Sequence, residues 1–130
     1  MTMAETRSFR FERLHHVQLA IPVDGEDVCR AFWGKGLGML ELEKPPKLAR
    51  GTGCWFRGDG LEIHLKVSSD FVPSPEGHPA ILVRNLPALA RRLRELGKEP
   101  EWDDRFEGFI RFYVHDPFGN RLEFLQAIIA

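Results

Sequence analysis

The sequence predicts an α+β fold made of two tandem βαβββ modules. Three observations carry this: strand-type alternation and helix-type spacing follow the same order in both halves, a Ser/Pro-rich stretch separates the halves, and ligand-type residues recur at matching strand positions. The modules span about 14–67 and 77–126, joined by a linker at 68–76, within one domain covering 1–130. They are expected to form a curved mixed sheet with the helices on its convex side.

Leu14–Ile21 reads as the first strand, with His15, Val17, Leu19 and Ile21 alternating against His16, Gln18 and Ala20. Val28, Ala31 and Phe32 give helical spacing over Glu26–Trp33, and Gly34, Gly36 and Gly38 are expected to end that helix. Leu40–Glu43 reads as a short strand. After Pro45-Pro46 opens a loop, Cys54–Arg57 and Leu61–Val67 flank Asp59-Gly60, a pair suited to a two-residue hairpin turn.

The second half repeats this order. His78–Val83 is a strand, and Leu86, Leu89, Ala90, Leu93 and Leu96 keep helical spacing between an Asn85 cap, with Pro87 in the first turn, and a Gly97 stop. Pro100–Trp102, Phe109–His115 and Arg121–Gln126 complete the strands, the last entered through Asp116-Pro117-Phe118-Gly119-Asn120. His16 and His78 open the two halves, and Gly60–His64 corresponds to Gly119–Glu123 at their ends.

Charge and composition remove several functions. The 130 residues hold 18 Lys+Arg against 19 Asp+Glu, a net charge of −1 that gives no electrostatic case for a nucleic-acid partner. At 43% hydrophobic and 11% aromatic the chain has material for a core, which argues against disorder. No apolar run reaches the roughly 18–20 residues of a membrane span, and the first residues lack a signal peptide's apolar stretch, so a cytoplasmic protein without membrane contact is expected. Cys29 and Cys54 are expected to be buried free thiols.

Period-two alternation assigns faces to the residues that carry chemistry. His16 shares a face with Gln18, His64 with Glu62 and Lys66, and Glu123 with Arg121, each opposite an apolar set. Across a two-residue hairpin, Trp55 and Arg57 join the face of His64. If these faces line one concave sheet, three imidazoles and a carboxylate converge in a cleft. His15 and His115 read as ordinary strand residues, Trp33 and Trp102 as packing residues, and Arg91, Arg92 and Arg94 as a solvated helix face.

Over Leu14 to Gln126 the sequence resembles the vicinal oxygen chelate superfamily, which includes glyoxalase I, fosfomycin-resistance enzymes, extradiol dioxygenases and bleomycin-resistance proteins. The resemblance rests on L-H-H-V-Q-L-A-I with His16, G-H-P-A-I-L-V with His78, and F-Y-V-H-D-P-F-G-N-R-L-E with Glu123. It implies a divalent metal ion (Zn, Ni, Mn, Co or Fe(II)) held by His16, His64, His78 and Glu123, with positions open to two oxygens of a small substrate. His64 is either a ligand or the general base, Glu123 taking the proton in the first case, and Tyr113 is the third catalytic candidate; Gln18, Trp55, Arg111 and Arg121 are expected as substrate contacts on the strands that carry these groups, and the resemblance implies a homodimer.

Departures from individual members matter. Glyoxalase I normally carries Glu at the place of His64. Extradiol dioxygenases use the places of His16, His78 and Glu123 as a facial triad, with a Tyr ten residues before the carboxylate where Tyr113 stands; their further His has no counterpart beside Asp103 and Asp104. Fosfomycin-resistance enzymes use the places of His16, His64 and Glu123, but their potassium-binding loop is missing here. The expected function is a metal-dependent dioxygenase, isomerase or lyase; the alternative is a metal-free small-molecule binding protein of the bleomycin-resistance type.

Overall fold

The computed structural model describes residues 7–129 of the chain. Strands β1 (Val17–Ile21), β2 (Leu40–Leu42), β3 (Cys54–Gly58) and β4 (Leu61–Val67) form one four-stranded sheet in the order β1-β4-β3-β2. Strands β5 (Ala80–Leu82), β6 (Glu101–Asp103), β7 (Phe109–His115) and β8 (Arg121–Ala127) form a second in the order β5-β8-β7-β6. In each sheet the first strand runs parallel to the last and the other pairs are antiparallel. The two βαβββ modules are therefore topological copies. The curved surface is built of two separate four-stranded sheets rather than one continuous sheet.

The period of two decides what each sheet buries. Ile63 and Leu65 on β4, Phe56 on β3, Phe112 and Val114 on β7, and Leu122 and Phe124 on β8 point to one side and form a core with Trp33, Leu86 and Leu93 from the helices. The opposite side of the same strands carries Glu62, His64, Trp55, Tyr113 and Glu123. Asp59 and Gly60 both adopt positive φ, 50° and 83°, and join Gly58 to Leu61 as the tight turn their sequence predicts.

Helix α1 (Glu26–Cys29) runs on into a π-helical stretch, Arg30–Gly36, so the helical segment passes beyond Trp33 and through Gly34. Packing explains the difference. A Cβ on Gly36 would stand 2.8 Å from Leu96 Cδ1, and the Gly36 carbonyl accepts from Arg92 Nε at 2.8 Å, so this glycine admits the second module's helix rather than ending the first module's. Arg92 thus carries a contact between modules and is not merely solvated. Helix α2 (Leu86–Glu95) starts at Asn85, whose side chain accepts from Ala88 N, and Gly97 follows it at φ 80°.

Three strand starts or packing roles differ from expectation. Strand β1 begins at Val17 because its parallel partner β4 is already close to the Asp59-Gly60 turn: Val17 pairs with Ile63. His16 therefore precedes the strand. Strand β5 begins at Ala80, since Pro79 has no N–H to donate, although its carbonyl accepts from Glu123 N at 3.1 Å. Trp102 touches Phe112 edge-on but remains 46% exposed, so it packs only in part. Cys29 and Cys54 are free and buried. Among the described residues, no helix is long and apolar enough to cross a membrane.

The turn Asp116–Asn120 ties the modules together. Buried Asp116 accepts from Phe118 N and Asn120 N at 2.9 and 2.8 Å, and Asn120 Nδ2 donates to Asp116 Oδ2 and, across to the first module, to the Ala20 carbonyl at 2.8 Å. Replacing Asn120 by Ala leaves that half-buried carbonyl without this partner and removes a donor from buried Asp116, which costs about 1 kcal/mol or more. Asn120→Ala is expected to lower the urea unfolding midpoint accordingly while the far-ultraviolet circular dichroism stays that of the parent.

Candidate metal centre

In the first module the polar face is organised around His64. Its strand β4 is central, with Gln18 of β1 and Trp55 of β3 in register on either side. Trp55 stacks on the His64 ring at 4.0 Å between centroids and 3° between planes, and His16 stacks at 3.8 Å and 14°. Two residues along the same strand face, Glu62 Oε2 lies 2.6 Å from His64 Nε2, and Glu62 Oε1 accepts from Arg57 at 2.8 Å. A ring that donates from Nε2 keeps its lone pair on Nδ1.

This arrangement sets charge as well as orientation. The bond to His64, then that to Arg57, holds the Glu62 carboxyl at about 2, below its ordinary 4.5. Partial desolvation, followed by the neighbouring His64 and His15, holds the His16 imidazole below its ordinary 6.5. His16 Nδ1 is 2.9 Å from His15 Nδ1, so Nε2 is the nitrogen of His16 left for another partner.

In the second module the counterpart is Glu123 on central strand β8. His78 Nε2 lies 2.8 Å from Glu123 Oε1, and Arg111 donates to Glu123 Oε2 at 3.1 Å. Arg111 also donates to Asp103 Oδ1 at 3.0 Å; Arg105, then Arg111, holds the Asp103 carboxyl well below the usual carboxylate range. Tyr113, opposite Glu123 on β7, meets His78 edge-on at 5.5 Å, and the Arg121 guanidinium lies over its ring at 4.0 Å.

The sequence-predicted residues thus gather as two groups: His16, His64 and Trp55, with Gln18 exposed in register beside them, and His78, Glu123, Arg111, Tyr113 and Arg121. Among the described residues, no three His, Cys, Asp or Glu side chains stand together as a group able to hold a metal ion, so the four expected ligands do not form one cage in this chain. Two carboxylates of these groups, Glu62 and Asp103, lie outside the set of site residues that the sequence points to. Glu62 had a legible signal, its i, i+2 place on the face of His64; Asp103 had none, because only the pairing of β6 with β7 sets it opposite Arg111.

No family model matches the chain, and no curated protein matches it. Among solved structures, it is similar to a glyoxalase family protein from Bacillus anthracis at 39% identity and TM-score 0.89, over 94% of this chain and 100% of that one. The chain belongs to the vicinal oxygen chelate superfamily. Its fold is shared by a glyoxalase/dioxygenase from Nostoc punctiforme (22% identity, TM-score 0.69, 90% of this chain and 92% of that). A point mutant of the fosfomycin resistance protein FosX from Listeria monocytogenes, in a complex with Mn(II) and 1S,2S-dihydroxypropylphosphonic acid, shares it too (17% identity, TM-score 0.74, 92% of this chain and 95% of that).

For this vicinal oxygen chelate protein, the His78–Glu123 pair has the donor chemistry of part of a divalent-ion site, though it is two donors and not three. Both ring nitrogens of His78 face acceptors: Nδ1 the Glu76 carbonyl at 2.6 Å, Nε2 the Glu123 carboxylate at 2.8 Å. A neutral ring donates from Nδ1 and turns the Nε2 lone pair toward a carboxylate, two electron donors that suit a cation; a backbone carbonyl on the remote nitrogen is the usual support of a metal-bound imidazole. His64 carries the same kind of support from Glu62. Its face-to-face stack on His16, however, is not the splay of two rings around one ion.

The low value of Glu62 has a testable consequence for stability. A carboxyl depressed in the folded state contributes stability that is present above the unfolded value, near 4.5, and is lost as pH falls through about 2. Urea unfolding at pH 6, 4.5, 3 and 2 is expected to show a fall across that window in the parent and a flatter profile in Glu62→Gln, which starts from a lower value at pH 6.

Proposed function

We propose that this protein is a metal-dependent enzyme acting on a small molecule through two neighbouring oxygens, its centre completed in a homodimer. In this reading His16 of one protomer joins the partner subunit's His78 and Glu123 as ligands, and His64 handles the proton. The observation that carries it is the matched placing of the two groups on corresponding faces of two copied modules, with His64 and His78 each already supported at one ring nitrogen. Exposed apolar side chains support the dimer: Leu40 and Leu82, 70% and 69% exposed, lie on the sheet faces that carry His64 and Glu123.

A bound divalent ion supplies Lewis-acid stabilisation of the negative charge that develops on the substrate oxygens. The remaining work belongs to side chains. Trp55 and His16 fix the plane of His64, and Glu62 fixes its proton on Nε2, leaving Nδ1 to accept a proton as a general base does with its orienting carboxylate. Arg111 steers Glu123 and, with Arg121 and Tyr113, places donors where an anion forms. The subclass, whether dioxygenase, isomerase or lyase, follows from the substrate. The pair of buried free thiols agrees with a cytoplasmic setting.

A second reading, a metal-free binding protein, draws on the absence of any three-donor group among the described residues. Calorimetric titration of tag-free protein with Zn, Ni, Mn, Co and Fe(II) separates the two. The proposal expects about one ion per protomer, binding that weakens as falling pH protonates the ligating imidazoles, and a mass near twice the 14.9 kDa of the chain by light scattering. No binding of any of these ions near neutral pH overturns it in favour of sequestration.

Substitution then assigns His64. As base, His64→Ala keeps parental metal affinity and loses roughly 10²–10⁴-fold in turnover on a substrate found by screening compounds with vicinal oxygens. Loss of metal affinity together with turnover makes it a fourth ligand instead.

A further inference from the structure

The residues before His16 run as an irregular arm, of which Arg13 and His15 line a small cavity with Arg57, Gly60 and Glu62 of the same chain while Phe9 and Phe11 project beyond it. From Arg7 to His15 the chain has no regular secondary structure, and Phe9 and Phe11 are 56% and 82% exposed. Their rings meet edge-on at 5.6 Å, and the Arg7 guanidinium lies 5.1 and 5.3 Å from the two ring centroids. The result is a preformed aromatic knob. The arm from Arg7 to Arg13 carries three arginines against one glutamate, and among the described residues Arg10 and Arg13 have no acidic partner.

The other half of the molecule offers a complementary surface. A cavity of about 540 Å³ lies between the β6–β7 loop and the end of β8, walled by Trp102, Phe106, Phe109 and Ile128. Asp104 and Glu107 stand on its rim, and no basic partner engages them among the described residues. Arg111 also lines it, lying 5.2 Å from the Phe106 ring centroid while it donates to Glu123. An apolar wall with an acidic rim is the chemistry that receives aromatic side chains interleaved with arginine.

We infer that the arm of one protomer docks in this cavity of a second copy, seating Phe9 and Phe11 against Phe106 and Trp102 and setting Arg10 and Arg13 against Asp104 and Glu107. The inference rests on the dimer of the proposed function, in which His16 of one copy meets the partner's Glu123. Reach is adequate: Phe11 stands five residues before His16, an extended span of about 17 Å, and Arg111, which lines the cavity, is one hydrogen bond from Glu123. The arm would then form one wall of the partner's substrate site, and the acidic rim would be neutralised only in the assembled dimer.

The test uses the full chain. Phe9→Ser/Phe11→Ser is expected to raise the dimer dissociation constant by about tenfold or more in sedimentation equilibrium, and Arg10→Glu to raise it less, by an amount that shrinks as salt is added. Proximity is read by mixing Phe11→Cys protein with Phe106→Cys protein and adding a short bismaleimide. A cross-linked dimer is expected in the mixture and in neither variant alone, Cys29 and Cys54 being buried. A dimeric parent whose dissociation constant ignores the double serine substitution, or whose mixture does not cross-link, overturns the docked arm and leaves the dimer standing. Cross-linking within a single chain of Phe11→Cys/Phe106→Cys overturns it by placing the arm in its own cavity. A monomeric parent overturns both readings.

Discussion

Everything in this structure depends on the two-residue alternation of the central strands β4 and β8. Each is flanked by strands on both sides, so one of its faces can be filled by helices and the other is left for chemistry. On β4, Ile63 and Leu65 go inward while Glu62 and His64 go outward; on β8, Leu122 and Phe124 go inward while Glu123 goes outward. A slip of one residue in either strand would send the carboxylates into the core, where an unpaired charge costs far more than any packing gain returns. The core therefore fixes the register, and the register fixes which residues can ever meet a ligand.

The outward side chains are not simply solvated. Glu62, His64 and Glu123 are buried although no helix covers them, because neighbours on the same face do so: Trp55 and His16 on His64, Arg57 on Glu62, Arg111 and His78 on Glu123. Glu62 and Glu123 each have cationic and imidazole partners, which is what lets a negative group persist away from water. The same contacts fix ring planes and tautomers, so the groups that stabilise the face also prepare it for proton transfer and metal binding.

The joint between the modules has a different origin. Asn120 reaches Ala20, Gly36 admits Leu96 and Arg92, and these contacts connect copies that share no hydrogen-bonded strand pair. Small or polar residues at the joint hold the two sheets in one body without merging them. That leaves two site faces per chain, each open, with apolar residues such as Leu40 and Leu82 at their margins.

The sequence by itself determined the module repeat, the strand faces, the Asp59-Gly60 hairpin and the helix from Leu86, because each follows from local periodicity or from φ preferences of one or two residues. It also makes the outward residues legible, including Glu62, whose place two residues before His64 puts both on one strand face. Tertiary structure alone decided where β1 and β5 begin, that the helix runs through Gly34, and that Asp103 stands against Arg111, since these rest on pairing and packing between distant segments. It alone decided that His16 and His64 stack in one group and His78 and Glu123 in another. Alternation tells which way a side chain points, but the distance between two faces depends on how whole sheets pack, and no local pattern encodes that.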